Sequence, residues 1–118
     1  MAPACCTLTL PYPPSVNRWT RVVGGRPILS AEARQYKQDA GVLALAAGVI
    51  PWPGPIAVSI TVYRPRKRGD LDGIFKLLID ALNGIAWVDD SQIVELHAFR
   101  RDDKHLPRAV VTVAAAGP

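Results

Sequence analysis

Four of the five aspartates between positions 70 and 90 are the residues best suited to chemistry. Asp70 and Asp72 are spaced D-x-D at the start of an apolar run, and Asp89 and Asp90 follow that run after a short turn. Carboxylates without a neighbouring His or Cys suit Mg²⁺, which is held by a few acidic oxygens and otherwise keeps water or binds phosphate. If the turn folds back towards the start of the run, three carboxylates converge on one ion. Such an ion can activate water and stabilise a transferring phosphate.

Basic side chains surround this acidic cluster. Lys76 comes one helical turn after Asp72, where it can lie beside the same phosphate or orient the nucleophile. The segment that leads into Asp70 carries Arg64, Arg66, Lys67 and Arg68. These cations can bind a phosphate backbone and bring it to a metal that otherwise stands in a repulsive acidic field. The pattern therefore indicates a nuclease that acts on nucleic acid.

Each of these features also has an explanation without catalysis. Aspartate near a helix start is favoured by capping and by the helix dipole. Asp72, Lys76 and Asp80 can form an i,i+4 ladder worth roughly a few tenths of a kcal/mol per contact. A charge run often marks a solvated loop, and Asp-Asp-Ser is a common turn composition. The residues alone leave open a nucleic-acid binding module whose carboxylates serve as caps and salt-bridge partners.

Hydrophobic periodicity predicts the elements that hold these residues. Ser30 can cap a helix rich in alanine and leucine, Gly24-Gly25 suits a two-residue hairpin turn, and apolar residues alternate along 56–64. The predicted order is a strand at 5–10, the hairpin, a helix at 30–48, a strand at 56–64, a helix at 70–84, and strands at about 93–101 and 108–115. This order predicts an α+β fold, with two main helices on a mixed or antiparallel sheet and one domain spanning residues 1–118.

Composition narrows the class of protein. The chain has 118 residues, of which 49% are hydrophobic, and this suits one globular core. The net charge of +4 favours a polyanionic partner. No apolar run reaches the roughly 20 residues that span a bilayer, and the N-terminus is a poor signal peptide. Adjacent Cys5 and Cys6 disfavour an ordinary disulfide between them. We therefore expect a cytoplasmic, reduced protein without a membrane segment.

Two segments together resemble the RusA-type Holliday junction resolvases. They read LPYPPSVNRWTR…GRPILSAEARQYK and GDLDGIFKLLIDALNGIAWVDDSQIVELHAFR. The similarity runs from about residue 8 to residue 113, nearly the whole chain. Its most specific parts are the PPSVN loop and the pairing of D-L-D with W-V-D-D-S-Q-I at this separation.

The resemblance implies a homodimeric, Mg²⁺-dependent endonuclease, with Mn²⁺ as a possible replacement. Such enzymes bind four-way DNA junctions and nick two opposed strands symmetrically during recombination and repair. Members of the family occur in bacteria and, very often, in phages and prophages. A two-fold dimer suits this reaction because two sites are needed to cut two strands.

The resemblance also assigns residues. The acidic positions of the family's site fall on Asp70, Asp72 and Asp90, the helix lysine on Lys76, a recurring acidic position on Asp80, and the loop asparagine on Asn17. Arg18 and Trp19 follow Asn17 and are candidates for a nucleic-acid surface.

One position departs from the family pattern. The usual D-x-D-N has Gly73 in fourth place, so an amide that would contact DNA or brace the site is lost. Glycine also costs up to about 1 kcal/mol in a helix interior and less in a first turn. Junction selectivity or rate is therefore expected to differ from that of typical members, and a nuclease for flaps or other branched DNA is a further alternative.

Overall fold

The order of strands and helices agrees with the order that periodicity predicts. The computed structural model describes residues 4–14, 20–65 and 71–116. Its strands are β1 (Ala4–Pro11), β2 (Thr20–Val23), β3 (Arg26–Leu29), β4 (Ile56–Arg64), β5 (Ile93–Asp102) and β6 (Arg108–Ala115), and its helices are α1 (Ala31–Ala46) and α2 (Leu71–Leu82). A 3₁₀ turn at Asp90–Gln92 leads into β5. The predicted α+β class is confirmed.

Four strands form a mixed sheet in the order β1-β6-β4-β5. β6 pairs antiparallel with both β1 and β4, whereas β4 and β5 are parallel. Parallel neighbours need a crossover connection, and α2 lies within that connection. In the part of the chain that is described, β2 and β3 pair only with each other, as a separate hairpin around Gly24-Gly25.

The core lies between one face of the sheet and the two helices. The alternation in β4 is confirmed, since Ile56, Val58, Ile60 and Val62 are all 0% exposed and the residues between them are half-buried. Apolar residues of β1, β6, α1 and α2 join them in one continuous cluster. The apolar residues recur about every second position in the strands and about every 3.6 positions in the helices. These periods place them on one face of each strand and one stripe of each helix, which the core buries.

Helix α1 is fixed at its start, along its length and at its end. The Ser30 hydroxyl oxygen accepts a hydrogen bond from the Ala33 N–H at 3.1 Å, which confirms the predicted cap. The Tyr36 hydroxyl donates to the Pro11 carbonyl at 2.7 Å and ties the helix to the end of β1. Burial raises the pKa of Tyr36 far above its ordinary value. Gly48, which follows the helix, has a φ of +77°.

Helix α2 presents an apolar stripe to the core, and residues 83–89 lead from its end to the 3₁₀ turn that carries Asp90. The buried residues of this stripe are Ile74, Phe75, Leu77, Leu78, Ala81 and Leu82. After the helix, Gly84 adopts a φ of +82° and its N–H donates to the Trp87 carbonyl at 2.8 Å. The predicted end at Asn83-Gly84 is therefore confirmed. No helix in the described ranges is long and apolar enough to cross a bilayer.

Candidate active site

A buried tryptophan fixes the carboxylate of Asp90. Trp87 is 0% exposed, and its indole Nε1–H donates a hydrogen bond of 2.7 Å to Asp90 Oδ1. Its complete burial places the Trp87 ring in the core. The second oxygen, Oδ2, receives no hydrogen bond from the residues that the structure describes. Asp90 is half-buried and is therefore held in one orientation with one oxygen available.

The turn around Asp90 is closed by its own neighbours. Asp89 caps the 3₁₀ turn, because its Oδ2 accepts from the Ser91 N–H at 3.0 Å. Hydrogen bonds from the Ser91 hydroxyl and N–H hold the pKa of Asp89 below its ordinary value. The two adjacent aspartates therefore have different roles, since Asp89 shapes the turn and Asp90 presents its carboxylate.

Gln92 joins this turn to the connector between α1 and β4. Its Oε1 accepts from the N–H groups of Val88 and Asp89, each at 2.8 Å. Its Nε2 donates to the carbonyls of Trp52 at 2.6 Å and Gly54 at 2.8 Å. The Gln92 side chain thus joins the turn that precedes Asp90 to the connector before β4.

Asp90 shares a surface depression with one side of α2. The depression has a volume of about 410 Å³ and is lined by Phe75, Lys76, Ile79, Asp80, Asp90 and Leu96. Lys76 is exposed and Asp80 is half-buried. The ion pairs of the described residues do not include Lys76 with Asp80, so that half of the alternative ion-pair ladder is not formed. The fold therefore brings Lys76, Asp80 and Asp90 to one place from two elements.

The structure leaves the other two predicted metal ligands, Asp70 and Asp72, untested. Asp72 belongs to α2 and lies one turn before Lys76, but its side chain is not described. Asp70 lies outside the described residues. Among the side chains that are described, no group of three or more Asp, Glu, His or Cys is placed to hold a metal ion. Since that set lacks Asp70 and the Asp72 carboxylate, the predicted three-carboxylate site stays a prediction.

The predicted DNA-binding residues are mostly outside the described ranges, namely Asn17, Arg18, Arg66, Lys67 and Arg68. Arg64 is described, at the end of β4. Its Nη2 lies 2.9 Å from Asp102 Oδ1, and its side chain is only 11% exposed. Burial raises the pKa of Tyr12, and the positive charge of Arg64 opposes that rise. Arg64 is therefore paired and largely covered, and its assignment to DNA binding stays a prediction.

Sequence reasoning missed the supporting roles of Trp87 and Gln92. The signal was present in the motif W-V-D-D-S-Q-I. Its W donates to the carboxylate, its first D caps the turn, its second D is the carboxylate, and its Q joins the turn to the connector. A tryptophan N–H three residues before an aspartate, and an amide two residues after it, can be recognised only when the turn is known. Period and composition do not specify such a turn.

Comparison with known proteins identifies the family. The family described as Endodeoxyribonuclease RusA matches residues 11–114. This chain belongs to the RusA family. It is 33% identical over 114 residues to the crossover junction endodeoxyribonuclease RusA of Escherichia coli strain K12, covering 94% of this chain and 95% of that relative. The relative of the same name from Enterobacteria phage 82 is 32% identical over 113 residues, covering 93% of this chain and 94% of that protein.

The family match includes every element that forms the depression. The matched residues include β4, α2, the 3₁₀ turn and β5, so the depression lies inside the family's shared region. The relatives span almost the same length as this chain. The resemblance seen in the sequence motifs is therefore confirmed at the level of the family.

Proposed function

We propose that this protein is a crossover junction endodeoxyribonuclease that binds four-way DNA junctions and hydrolyses phosphodiester bonds in them. One observation carries the proposal: Trp87 holds the Asp90 carboxylate beside Lys76 and Asp80 in a chain of the RusA family. A fixed carboxylate with one available oxygen, next to a cation on a helix, suits phosphodiester chemistry. Its relatives are named for this activity.

The donor set fits Mg²⁺, with Mn²⁺ as a possible replacement. The described polar side chains of the depression are two carboxylates and one amine, and hard carboxylate oxygens are the ligands that Mg²⁺ takes. We propose Asp70, Asp72 and Asp90 as the residues that hold the ion. When bound, Mg²⁺ supplies a Lewis acid that activates water and offsets charge on the phosphate.

The residues of the chain have distinct tasks in this proposal. Asp90 would hold the ion through its available Oδ2, because its Oδ1 accepts from Trp87. Lys76 is exposed at the edge of the depression, where its ammonium can offset negative charge that develops on the phosphate. Asn17, Arg18, Arg66, Lys67 and Arg68 are proposed to hold the DNA backbone, with Arg64 at the end of β4 contributing once DNA competes for its pair with Asp102.

We propose that the active form is a homodimer that nicks two opposed strands as a pair. A four-way junction has approximate two-fold symmetry, so a two-fold dimer presents one active site to each strand. Each chain also carries a net charge of +4, and two chains together present more positive charge to the junction. Sedimentation equilibrium measures the mass of the protein with and without a junction. A monomer mass at protein concentrations where the junction is cut efficiently would refute the dimer.

The deciding experiment is cleavage of a synthetic four-way junction with and without Mg²⁺. We expect nicking only with the metal. Asp90→Asn keeps an oxygen for the Trp87 N–H but loses a charged ligand, so we expect cleavage to fall by about a thousandfold, or about 4 kcal/mol of transition-state stabilisation. Asp70→Asn is expected to abolish cleavage while junction binding survives.

A matched control separates loss of a ligand from loss of charge. Asp39→Asn removes the same charge from an exposed position of α1, and the variant should cut at the normal rate. Within the described ranges, Asp39 accepts a side-chain hydrogen bond from Gln35 alone. Wild-type cleavage by both Asp70→Asn and Asp90→Asn would remove the proposed site. Junction binding without nicking by the unaltered protein, at any Mg²⁺ concentration, would instead support the non-catalytic alternative. Comparing cleavage of junctions, flaps and duplexes at one salt concentration tests the alternative of a nuclease for flaps or other branched DNA.

A further inference from the structure

We propose that Trp87 and Gln92 are positioning residues that preset the Asp90 carboxylate for metal binding. Trp87 sets the rotation of the carboxylate, and Gln92 sets the backbone from which it projects. We call these two side chains and their hydrogen bonds the Asp90 frame. The inference rests on the proposed function, in which Asp90 is a ligand of the ion.

The Trp87 half of the frame follows from burial. An indole has a single N–H and no acceptor, so it can make only one such bond. Trp87 is 0% exposed, and its N–H reaches Asp90 Oδ1 at 2.7 Å. A buried N–H without an acceptor costs about 1–3 kcal/mol, so loss of the bond to Asp90 is unfavourable. Rotation of the carboxylate away from the depression would break this bond.

The Gln92 half of the frame follows from the complete use of its amide. An amide side chain has two donor hydrogens and an oxygen that can accept twice. Gln92 uses all four of these, towards Val88, Asp89, Trp52 and Gly54, at 2.6–2.8 Å. Glutamate has the same shape but donates nothing, so it can keep the bonds to the turn and must lose those to the connector.

The consequence of the frame is a metal ligand that does not need to reorganise. Partners of a ligand are important because they fix its orientation, and their loss typically lowers metal affinity or activity by about 10–100-fold. The hydrogen bonds of the frame do not involve Lys76 or Arg64, the described cations that are proposed to meet the phosphate backbone. It should therefore affect use of the metal while leaving junction binding unchanged.

The test compares Trp87→Phe and Gln92→Glu with the unaltered full-length protein. Single-turnover cleavage over a range of Mg²⁺ concentrations should show a 10–100-fold higher concentration for the half-maximal rate. Mn²⁺ titrated into the DNA-free protein by calorimetry should show weaker binding by a similar factor. Junction affinity without metal should stay within about twofold.

Val58→Ala is the control for destabilisation alone. Val58 is a fully buried residue of β4 that makes no part of the frame, so its variant should lose stability and keep the normal Mg²⁺ dependence. If Trp87→Phe does not fold, Gln92→Glu carries the test, because it changes one half-buried side chain without creating a core cavity.

Two failures can be told apart. Normal Mg²⁺ dependence and normal Mn²⁺ affinity in folded Trp87→Phe and Gln92→Glu, with Asp90→Asn inactive, would overturn the frame and leave the proposed function standing. An Asp90→Asn variant that cuts and binds Mn²⁺ normally would overturn the metal role of Asp90 and therefore the frame. The proposed function fails on a different result, namely an unaltered protein that binds the junction and does not nick it at any Mg²⁺ concentration. A shift of Mg²⁺ dependence in Val58→Ala equal to that in the two frame variants would also overturn the frame.

Discussion

Replacing Gly41 with alanine should stabilise this protein. Gly41 lies inside α1 with ordinary helical backbone, and a methyl group added there would meet Ile85 Cδ1 at 3.5 Å, which is normal van der Waals distance. Alanine is favoured over glycine in a helix interior by about 0.8–1 kcal/mol. Partial burial of the new methyl against Ile85 adds to that, so we expect a gain of about 1 kcal/mol.

The measurement is thermal and urea unfolding of Gly41→Ala beside the unaltered chain. A gain of about 1 kcal/mol should raise Tm by roughly 4 °C in a domain of this size. Ile85 lies in the turn between α2 and Trp87. The new methyl group would pack against Ile85 and would not touch the hydrogen bonds around Asp90. Junction cleavage at moderate temperature should therefore be unchanged.

Gly84→Ala is the matched control, because the same chemical change should have the opposite sign there. Its added methyl would meet nothing within 4 Å, yet its φ is +82°. A left-handed conformation costs a residue other than glycine roughly 1–2 kcal/mol. A fall in Tm for Gly41→Ala, or a rise for Gly84→Ala, would show that the contact at Ile85 or the backbone argument is wrong.

Two further predictions concern other parts of the molecule. Ser30→Ala removes the oxygen that accepts from Ala33 and should lower the free energy of unfolding by about 1 kcal/mol in urea titrations, whereas Ser30→Asp should retain most of it; equal losses in both variants would contradict the capping role. Asp103 accepts from Arg108 and from two backbone N–H groups, which lower its pKa. The ionised Asp103 carboxylate stabilises the fold at pH values above its unfolded pKa, and this stabilisation is lost as the pH falls through the lower folded pKa. Asp103→Asn should therefore lose less stability than the unaltered chain as the pH falls below about 4. An equal loss of stability at low pH in both proteins would refute this.

Local features of this fold are readable from the sequence because they depend on neighbours. The alternation in β4, the Ser30 cap and the Gly24-Gly25 turn each follow from a period or from one residue's conformational preference, and all three are confirmed. The order of strands is different. The parallel pairing of β4 with β5 depends on the path of the connection that contains α2. The same hydrophobic patterns in β4 and β5 would also suit pairing with other strands.

The candidate site shows the same division. Asp90 and Lys76 could be selected from residue type and family motif, and the structure brings them to one depression. The bond from Trp87 to Asp90 depends on a short 3₁₀ turn, and the pairing of Arg64 with Asp102 depends on which strand ends lie side by side. Such contacts join residues through the fold, so their partners are not visible in the local sequence.

The separate hairpin of β2 and β3 gives the molecule a part that can vary independently. Among the described residues its strands pair only with each other. At its base Leu29 packs against the core and its carbonyl accepts from Arg34, whereas a methyl group added at Gly24 or Gly25 would meet nothing within 4 Å. Longer or shorter tips would leave the four-stranded sheet, α2 and the Asp90 turn in place, since no ladder bond of that sheet runs through the hairpin. A fluorophore or an affinity tag inserted at this tip should therefore leave the pairing of the four-stranded sheet intact.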